Sequence, residues 1–427
     1  MAIEIRGINN RLAVPSLIAD ESLFRLMDNL VLPRLSNQTY EKYFENKIGD
    51  RITVKRPYMA KVNSGRILAE SDIASMIDQT VDIMVDQRHN FAIRYNDQEK
   101  TLDLVQFGER YLRTGIEELA YQYDIAGANE LGLSISYSEG TPGTGLSTSA
   151  AQKIGAHARH VAIPLNSMNY GLIDPMDFAN ISDDVKAVQL PEMVSTAIRE
   201  RYNGKLGNWH LFESVHIPYL DVASHTGSTP LVNMVGGYEG KDLPTDGWAN
   251  STQVLNKGQL FTIAGVYEVQ PRGNRRTTGR LFTFCAADDV TSSATGTATI
   301  PLVSTLNAGT LTDLDSQGNS VSLSAFQNVS AAAADNAAIT IVGTLGSTYR
   351  QGVFYEKSLL EYINVELESF ESAVLQGQST EEQTGVSVSL VGWFDGLTRR
   401  ETQRVDILFG TKAIYPELGI RFISDAV

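Results

Sequence analysis

A β-rich stretch from about residue 226 to residue 345 interrupts a chain whose flanking parts mix helical and strand-like patterns. Gly, Ser, Thr, Ala, Val and Asn dominate it, and no Lys or Arg occurs between Arg280 and Arg350. Short apolar runs separated by turn residues are typical of a small antiparallel barrel or sandwich. Strands are predicted in the runs 259–269, 280–287, 297–303 and 337–343. Because mixed patterns return afterwards, the stretch is predicted to be an insertion within an α+β fold.

The clearest helix lies upstream of this insertion, between residues 101 and 131. Apolar side chains recur along it at steps of four and three residues: Leu112, Ile116, Leu119, Tyr123 and Ala126. This spacing places them on one helical face, with charged side chains largely elsewhere. At 1.5 Å per residue the helix would span about 40 Å, which is the length of a domain. We therefore predict that it is the spine of the mixed part of the fold.

Leucines at near-helical spacing mark a short amphipathic segment near the start of the chain. Leu23, Leu26 and Leu30 lie within residues 22–35, and a helix that ends before Pro33 is predicted. So short a helix is marginal in water unless it lies on another surface. The first 45 residues are therefore interpreted as an arm.

Two alternating runs follow the arm, at residues 51–62 and 80–97. Period-two alternation predicts strands, and together the runs predict a long two-stranded ribbon. An isolated two-stranded ribbon is marginally stable at best. Such a ribbon is expected to need support from another chain.

Bulk composition disfavours several classes of function. The 427-residue chain is 42% hydrophobic and 20% charged, as in ordinary soluble globular proteins, and its formal net charge of -15 disfavours dedicated nucleic-acid binding. No apolar run reaches the roughly 18 to 20 residues of a membrane span, and no secretory signal is predicted. The lone Cys285 cannot form an intrachain disulfide and is predicted to be a buried thiol, so the cytoplasm is the expected compartment.

Residues with catalytic or metal-binding chemistry form no convincing constellation. His157 and His160 lie three residues apart on a predicted helix, but neither an HExxH pattern nor an acidic cluster completes a metal site. The loop GTPGTG at residues 140–145 lacks the Lys-Ser/Thr pair of a nucleotide-binding loop. No nucleophile with an associated base is evident. The chain is therefore predicted not to be an enzyme and to bind no cofactor.

Four arginines in the segment QPRGNRRTTGR, residues 270–280, are unusual in so acidic a chain. The segment lies between two predicted strands, so the favoured interpretation is a solvated hairpin connection in which Gly273 and Gly279 ease the turns. Contact with acidic groups of the same or a neighbouring subunit is an alternative. Binding of nucleic acid is a third interpretation, which the acidity of the chain disfavours.

Three pieces near the C-terminus occur in a characteristic order. They are the strand start at residues 353–359, the strand ending Ile-Leu-Phe-Gly at residues 407–410, and Tyr-Pro-Glu nearby at residues 415–417, before a last strand. In this order they resemble the closing segment of the major capsid proteins of tailed bacteriophages. With the arm, ribbon, spine helix and insertion, the chain resembles the Hong Kong 97-type capsid fold of podophage coat proteins that carry an inserted telokin-like β-barrel.

The resemblance implies an α+β fold with an arm, an extended loop, a peripheral domain, an axial domain and an inserted antiparallel β-barrel. The implied ranges are 1–45 for the arm, 46–100 for the extended loop, 101–132 for the spine helix of the peripheral domain, 133–224 and 346–385 for the axial domain, 225–345 for the inserted domain, and 386–427 for the C-terminal strands. The implied function is a structural major capsid protein that self-assembles into the icosahedral shell around a double-stranded DNA genome. The alternative is a β-rich phage tail or adhesion protein, which leaves the helix at 101–131 unexplained.

Partners and contact residues also follow from the resemblance. Copies of the chain would form pentamers and hexamers in the virion capsid after assembly in the host cytoplasm, with a scaffolding protein and a portal protein as further partners. Packaged double-stranded DNA would be contacted only weakly and non-specifically, and no membrane is involved. Candidate inter-subunit contacts lie in the arm, in the ribbon and in the turn-rich stretch 238–251: Leu23, Leu26, Leu30, Arg51, Lys55, Arg56, Lys61, Lys241, Asp242 and Asp246.

Overall fold

The computed structural model describes most of the chain, in segments separated by gaps. The described residues are 22–23, 26, 30–40, 49–56, 79–96, 113–164, 168–186, 205–225, 228–273, 275–314, 320–368, 375–380 and 386–427. Residues 101–112 of the predicted spine helix and the ribbon residue Lys61 lie outside them. The chain forms two compact units, and the division between them falls within one helix, after Ala128.

Four α-helices have defined bounds in the described segments, and Ser22, Leu23 and Leu26 are also helical. The four are α1 (Leu32–Leu35), α2 (Arg113–Ser134), α3 (Thr148–His160) and α4 (Pro175–Lys186). Helix α2 confirms the described part of the predicted spine, with Ile116, Leu119 and Tyr123 buried along its apolar face. Ser22, Leu23 and Leu26 are helical and Leu30 is not, which agrees with the predicted helix that ends before Pro33. Pro33 itself lies in the first turn of α1, where the N–H that proline lacks would be unpaired in any case. None of the described helices is both long and apolar enough to cross a membrane.

Strands dominate the rest of the described chain. From the N-terminus to the insertion they are β1 (Arg51–Lys55), β2 (Thr80–Met84), β3 (Gln87–Asn96), β4 (Ser138–Glu139), β5 (Asn169–Ile173), β6 (Lys205–Leu206), β7 (Trp209–Glu213) and β8 (Leu220–Asp221). Within the β-rich stretch they are β9 (Leu231–Val232), β10 (Gly240–Asp246), β11 (Gln253–Leu255), β12 (Leu260–Val269), β13 (Thr277–Cys285), β14 (Val290–Thr291), β15 (Ala298–Leu306), β16 (Thr312–Leu314), β17 (Ser320–Ser322) and β18 (Ile339–Ile341). The C-terminal strands are β19 (Thr348–Glu356), β20 (Leu360–Val365), β21 (Leu375–Thr380), β22 (Ser387–Asp395), β23 (Arg400–Ala413) and β24 (Gly419–Ala426).

The first unit comprises Met1–Val54, Asp82–Ala128 and Leu360–Lys412. Its five-stranded sheet has the order β20-β23-β22-β21, and β3 also pairs with β23. The ring of Tyr123, on α2, lies 5.1 Å from that of Tyr362 and 4.3 Å from that of Phe409, measured between centroids. All three side chains are buried, so the spine helix is fixed to the sheet by aromatic packing.

The run at residues 80–97 differs from its prediction as one strand of a ribbon. It divides after β2, which pairs with β1, and β3 instead pairs with β23 over ten residues, from Gln87 opposite Phe409 to Asn96 opposite Arg400. The predicted single strand is therefore wrong. In a five-stranded sheet β3 makes more backbone hydrogen bonds and buries more side-chain surface than it would in a two-stranded ribbon, which explains the difference.

Gly410, the glycine of the Ile-Leu-Phe-Gly piece, lies where β23 passes very close to the backbone after β2. A Cβ atom at this position would overlap the carbonyl oxygen of Met84 and lie 3.0 Å from its carbonyl carbon. The same atom would lie 3.1 Å from the Cα of Val85. Only glycine fits here without moving the backbone, which gives this motif residue a structural role.

The second unit comprises Lys55–Val81, Asn129–Leu359 and Ala413–Val427. Its seven-stranded sheet has the order β4-β24-β19-β5-β7-β6, and β8 pairs with one end of β19. Strand β19 is antiparallel to β24 and β5, whereas β5 is parallel to β7. One hydrophobic core includes Phe354 and Phe422 of this sheet together with Phe261 and Phe284 of the β-rich stretch. The stretch therefore shares a continuous core with the rest of the unit.

The strands predicted within the β-rich stretch are confirmed, with shifted ends. Their pairings are antiparallel and form the sheets β15-β10-β9, β13-β12-β18, β11-β14 and β16-β17. The hairpin of β12 and β13 includes Gly279 in a bulge within β13 at φ 81°, whereas Gly273 lies in the connection at φ 77°. Closure of these sheets into a barrel stays a prediction.

The two ends of the β-rich stretch meet at the central sheet of the second unit. Leu220 and Asp221 of β8 pair with Tyr349 and Thr348 of β19. The N–H of Val222 donates to the carbonyl of Ser347 at 3.0 Å, which continues the ladder by one step. The chain therefore leaves the sheet and returns to it at the same place.

Arg421 of β24 is fully buried and links four parts of the second unit. Its Nη1 donates to the carbonyl oxygen of Gly132, to that of Gly258 at 2.9 Å and to Oε1 of Gln351 at 3.4 Å, while Nη2 lies 3.3 Å from Sγ of Cys285. Gly132 lies in the last turn of α2, where the helix carbonyls carry partial negative charge. Burial raises the pKa of the Cys285 thiol although Arg421 lowers it. The predicted buried thiol is thus confirmed.

Candidate assembly surfaces

The three arm leucines are buried within their own subunit. Leu23, Leu26 and Leu30 are at most 5% exposed, and Leu32 and Leu35 of α1 are also buried. These three side chains are thus covered by other residues of the same chain. Their predicted contact with a neighbouring subunit stays a prediction.

Two buried carboxyl groups hold the segment around α1. Oδ2 and Oδ1 of Asp124, on α2, accept hydrogen bonds from the backbone N–H groups of Val31 at 3.1 Å and Leu32 at 3.3 Å. Glu361 of β20 accepts one from the N–H of Tyr40 at 2.8 Å. Burial raises the pKa of each carboxyl group to about 7, although these N–H donors lower it. Both groups can therefore change charge near neutral pH.

We expect Glu361→Gln to increase stability at alkaline pH by about 2 kcal/mol and to change it little at mildly acidic pH. A carboxyl group whose pKa is raised on folding contributes its full stability below its unfolded value near 4.5. That contribution is lost as the pH rises through about 7, because the charge must then stay buried. Urea unfolding of the full chain on both sides of pH 7 measures the effect. A variant that is less stable than the parent at alkaline pH would contradict it.

The ribbon formed by β1 and β2 presents its cations in different environments. Arg51 lies 3.5 Å from Asp82 in an exposed ion pair, and Asp82 also accepts a hydrogen bond from Thr53 at 2.6 Å. Arg56 forms an ion pair with Glu417, and its guanidinium lies 5.5 Å from the ring centroid of Tyr415. Arg56 is thus held by residues of its own chain, whereas Arg51 remains largely exposed. Lys55 is also exposed.

The stretch 238–251 was predicted to be turn-rich, but β10 occupies its first half. Strand β10 lies between β15 and β9, and Leu243 and Thr245 are buried on one face. The alternation of buried and exposed residues in β10 is hard to recognise in the sequence because many of these residues favour turns. Pairing within a sheet overrides that turn propensity. Lys241 and Asp242 are exposed and Asp246 is partly buried, so the three candidates lie on a strand rather than a loop.

Residues 270–276 of the arginine segment form a hairpin connection, as predicted, whereas residues 277–280 belong to β13, and the segment is not wholly solvated. Arg272 and Arg276 are exposed, whereas Nη2 of Arg275 donates to the carbonyl of Ala325 at 3.0 Å. Arg280 lies 2.5 Å from the carboxylate of Glu139. The solvated interpretation is therefore wrong for Arg275 and Arg280, and the alternative of an acidic contact within the same subunit is confirmed for Arg280.

Comparison with protein-family models decides the class of the chain. Residues 246–424 match the family described as P22 coat protein, gene protein 5. The chain is a major capsid protein of tailed phages. This class points to a structural, non-enzymatic role and to the virion capsid as its location.

Comparisons with individual proteins add little to this capsid protein's assignment. No curated protein sequence matches it. Similar solved structures include one from Mycobacterium phage Che8, with 11% identity, a TM-score of 0.45, and coverage of 92% of this chain and 90% of that one. The asymmetric unit of the bacteriophage PhiM1 mature capsid has 10% identity, a TM-score of 0.42, and coverage of 88% and 82%. At these scores the alignments carry no structural conclusion.

The capsid protein also exposes an apolar turn that the sequence reasoning missed. Trp393 and Phe394 lie at the end of β22 and Leu397 lies in the connection to β23; they are 42%, 53% and 98% exposed. Asp395 orders this turn by accepting hydrogen bonds from the N–H of Leu397 at 3.0 Å and the hydroxyl of Thr398 at 2.6 Å. The signal was the Asp-Gly dipeptide between alternating runs, which is typical of a hairpin turn. We call Trp393, Phe394 and Leu397 the apolar turn.

Proposed function

We propose that this capsid protein self-assembles, as pentamers and hexamers, into the icosahedral shell that encloses a double-stranded DNA genome. The observation that carries the proposal is the match of residues 246–424 to the coat protein family. In this proposal the chain has the Hong Kong 97-type fold, with an inserted telokin-like β-barrel at residues 225–345. Assembly occurs in the host cytoplasm with scaffolding and portal proteins, and requires no enzymatic step or cofactor.

Weak contact with packaged DNA fits the charge of the subunit. A formal net charge of -15 gives long-range repulsion from a polyanion. Tight binding to DNA would require many basic side chains to neutralise phosphates. The proposed shell therefore encloses its genome with little direct attraction from the wall.

The apolar turn supports self-association of the subunit. Three large side chains at one ordered hairpin turn expose apolar surface that is rarely left in water without a binding role. Burying one such side chain is worth about 1.5–3 kcal/mol. Repeated at every subunit of a symmetric shell, contacts of this size give a cohesive lattice without a very strong single interface.

Charged candidates would add to these contacts at lower energy. In the proposal, Arg51, Lys55 and Lys61 of the ribbon pair with acidic groups of the next subunit. Lys241, Asp242 and Asp246 are proposed to do the same at β10. An exposed ion pair contributes about 0–1 kcal/mol, so these pairs would set register more than affinity. The partners of Arg56 within the chain favour an anchoring role for it.

Assembly of the full chain, followed by negative-stain electron microscopy, tests the proposal. We expect the parent chain to form closed shells in the presence of a scaffolding protein. Phe394→Asp with Leu397→Asp should lower the yield of shells at least about tenfold, since the loss of one buried leucine exceeds 1.4 kcal/mol. The unfolding midpoint should not change, because both side chains are exposed. Leu345→Asp, at another exposed apolar residue, is the matched control.

Two outcomes separate the parts of this proposal. If the parent chain stays monomeric under all assembly conditions, self-assembly into a shell is refuted. If the parent chain and the double variant form shells equally well, the shell stands and the apolar turn has no role in assembly.

A further inference from the structure

A buried cluster of ionisable side chains lies where the β12–β13 hairpin meets the rest of the second unit. His157 of α3 is 3% exposed, and its Nε2 lies 2.9 Å from Oε2 of Glu268, on β12. Its Nδ1 lies 3.4 Å from Oε1 of Glu139, on β4. Arg280 of β13 binds Glu139 at 2.5 Å. One imidazole thus lies between two carboxyl groups, each on a different element.

The two carboxylates depend on His157 to different degrees. Glu139 also has Arg280 as a partner, whereas among the described residues the side chain of Glu268 is hydrogen-bonded by His157 alone. The side chain of Glu268 is only 3% exposed, so water gives it little compensation. An unpaired charge in such a place is strongly unfavourable. The attachment of this end of the hairpin therefore depends on the pairing of Glu268 with His157.

Charge balance in the cluster requires a proton on the ring. Two carboxylates, one guanidinium and one imidazolium sum to zero, whereas a neutral imidazole leaves one net negative charge buried. An imidazolium has N–H groups at both nitrogens, so it can face both carboxylates favourably. A neutral ring has one N–H group and one lone pair, and the lone pair must then face a carboxylate.

We propose that His157 is a proton-dependent clamp that holds the β12–β13 hairpin against α3 and β4, and that loss of its proton loosens the Glu268 end of that hairpin. The cluster joins the β-rich stretch to the central sheet, so the clamp controls how firmly the stretch is attached. The clamp acts within a single subunit, with or without shell assembly.

The groups facing the ring support this assignment. Burial opposes protonation, but Glu139 and Glu268 outweigh it and raise the pKa of His157 above its ordinary value of 6.5, although Arg280 acts against them. Tyr137 is a further neighbour, whose ring meets the imidazole edge-on with centroids 5.7 Å apart. Because the pKa is raised, the clamp is complete below pH 6.5 and is lost as the pH rises through the higher value of the folded state.

Amide hydrogen exchange of the full chain, corrected for intrinsic rates and measured from about pH 6 to about pH 9, tests the clamp. We expect opening of the β12 and β13 amides to increase by up to about tenfold per pH unit from pH 6.5 to the raised pKa of His157 in the folded state, and to level off above it. His157→Gln should abolish this rise. In this variant the β12 and β13 amides should exchange as readily at low pH as those of the parent do at high pH. His160→Gln, one turn along α3, should retain the rise, because His160 is exposed and its hydrogen-bond partner among the described residues is Gln270, at 3.5 Å.

A second variant keeps the test decisive if His157→Gln does not fold. Glu268→Gln removes the charge that demands a protonated ring while its amide oxygen can still accept a hydrogen bond from Nε2. The hairpin of this variant should stay protected across the pH range. A parent chain without the rise, or a rise that persists in either His157→Gln or Glu268→Gln, would overturn the proposal.

Discussion

Replacing Arg421 with methionine should lower the free energy of unfolding by about 3–5 kcal/mol, as expected when one partner of a buried charged network is removed. The guanidinium donates to two backbone carbonyls and to Gln351, and it lies against the thiol of Cys285. Methionine fills much of the volume but donates no hydrogen bond. The carbonyls of Gly132 and Gly258 would then be buried without this donor, next to the negative end of α2.

Urea unfolding of the full chain at neutral pH measures this loss. Arg350→Met is the matched control, because Arg350 lies on the neighbouring strand β19 and is 3.9 Å from its acidic partner Asp174. An ion pair of this kind contributes at most about 1 kcal/mol. Equal losses in the two variants would show that the buried contacts of Arg421 contribute no more than an ordinary ion pair.

Replacing Gly410 with alanine should cost about 3 kcal/mol, at the upper end of the range for overpacking a well-packed site. The added methyl group would overlap the carbonyl of Met84, and backbone cannot yield as a flexible side chain can. We expect β23 and the segment after β2 to separate locally. Thermal unfolding, with hydrogen exchange of residues 82–96, measures both consequences.

Gly396→Ala provides the control for the Gly410 prediction. Gly396 lies in the apolar turn region, where an added Cβ would meet only Phe394 at an ordinary distance of 3.9 Å. Its effect should be within about 0.5 kcal/mol, as for other exposed substitutions. If Gly410→Ala is equally mild, the close approach at Met84 is not a structural requirement.

The sequence was sufficient for elements whose patterns are local. The spacing of Ile116, Leu119 and Tyr123 predicted the buried face of α2, and alternation predicted β12 and β13. It failed where partners distant in sequence decide the structure. Strand β3 pairs with β23 more than 300 residues away, and β10 forms despite its turn residues because β15 and β9 lie beside it.

For the candidate surfaces, too, the sequence predicted local patterns but not contacts between distant segments. Leu23, Leu26 and Leu30 were found by their spacing, but spacing cannot tell whether a leucine is buried in its own subunit or in another. Arg421 gave no signal, and His157 was noticed only as a possible metal ligand, since the partners of each are brought together from separate segments. The Asp-Gly dipeptide marks the apolar turn as a turn, but such a signal does not show which side chains the turn leaves exposed.

The pairing of β8 with β19 makes the β-rich stretch exchangeable in principle. Since the chain departs and returns at neighbouring ladder positions, residues 222–347 could be replaced by a two-residue turn without altering the register of the central sheet. Evolution could gain, lose or replace such a module in one step. Excision would remove Cys285, a partner of Arg421, and Glu268, a partner of His157. The buried side chains of Arg421 and His157 would then lose these partners, which opposes such an exchange. A graft at this site must therefore bring its own acceptors for a guanidinium and an imidazole.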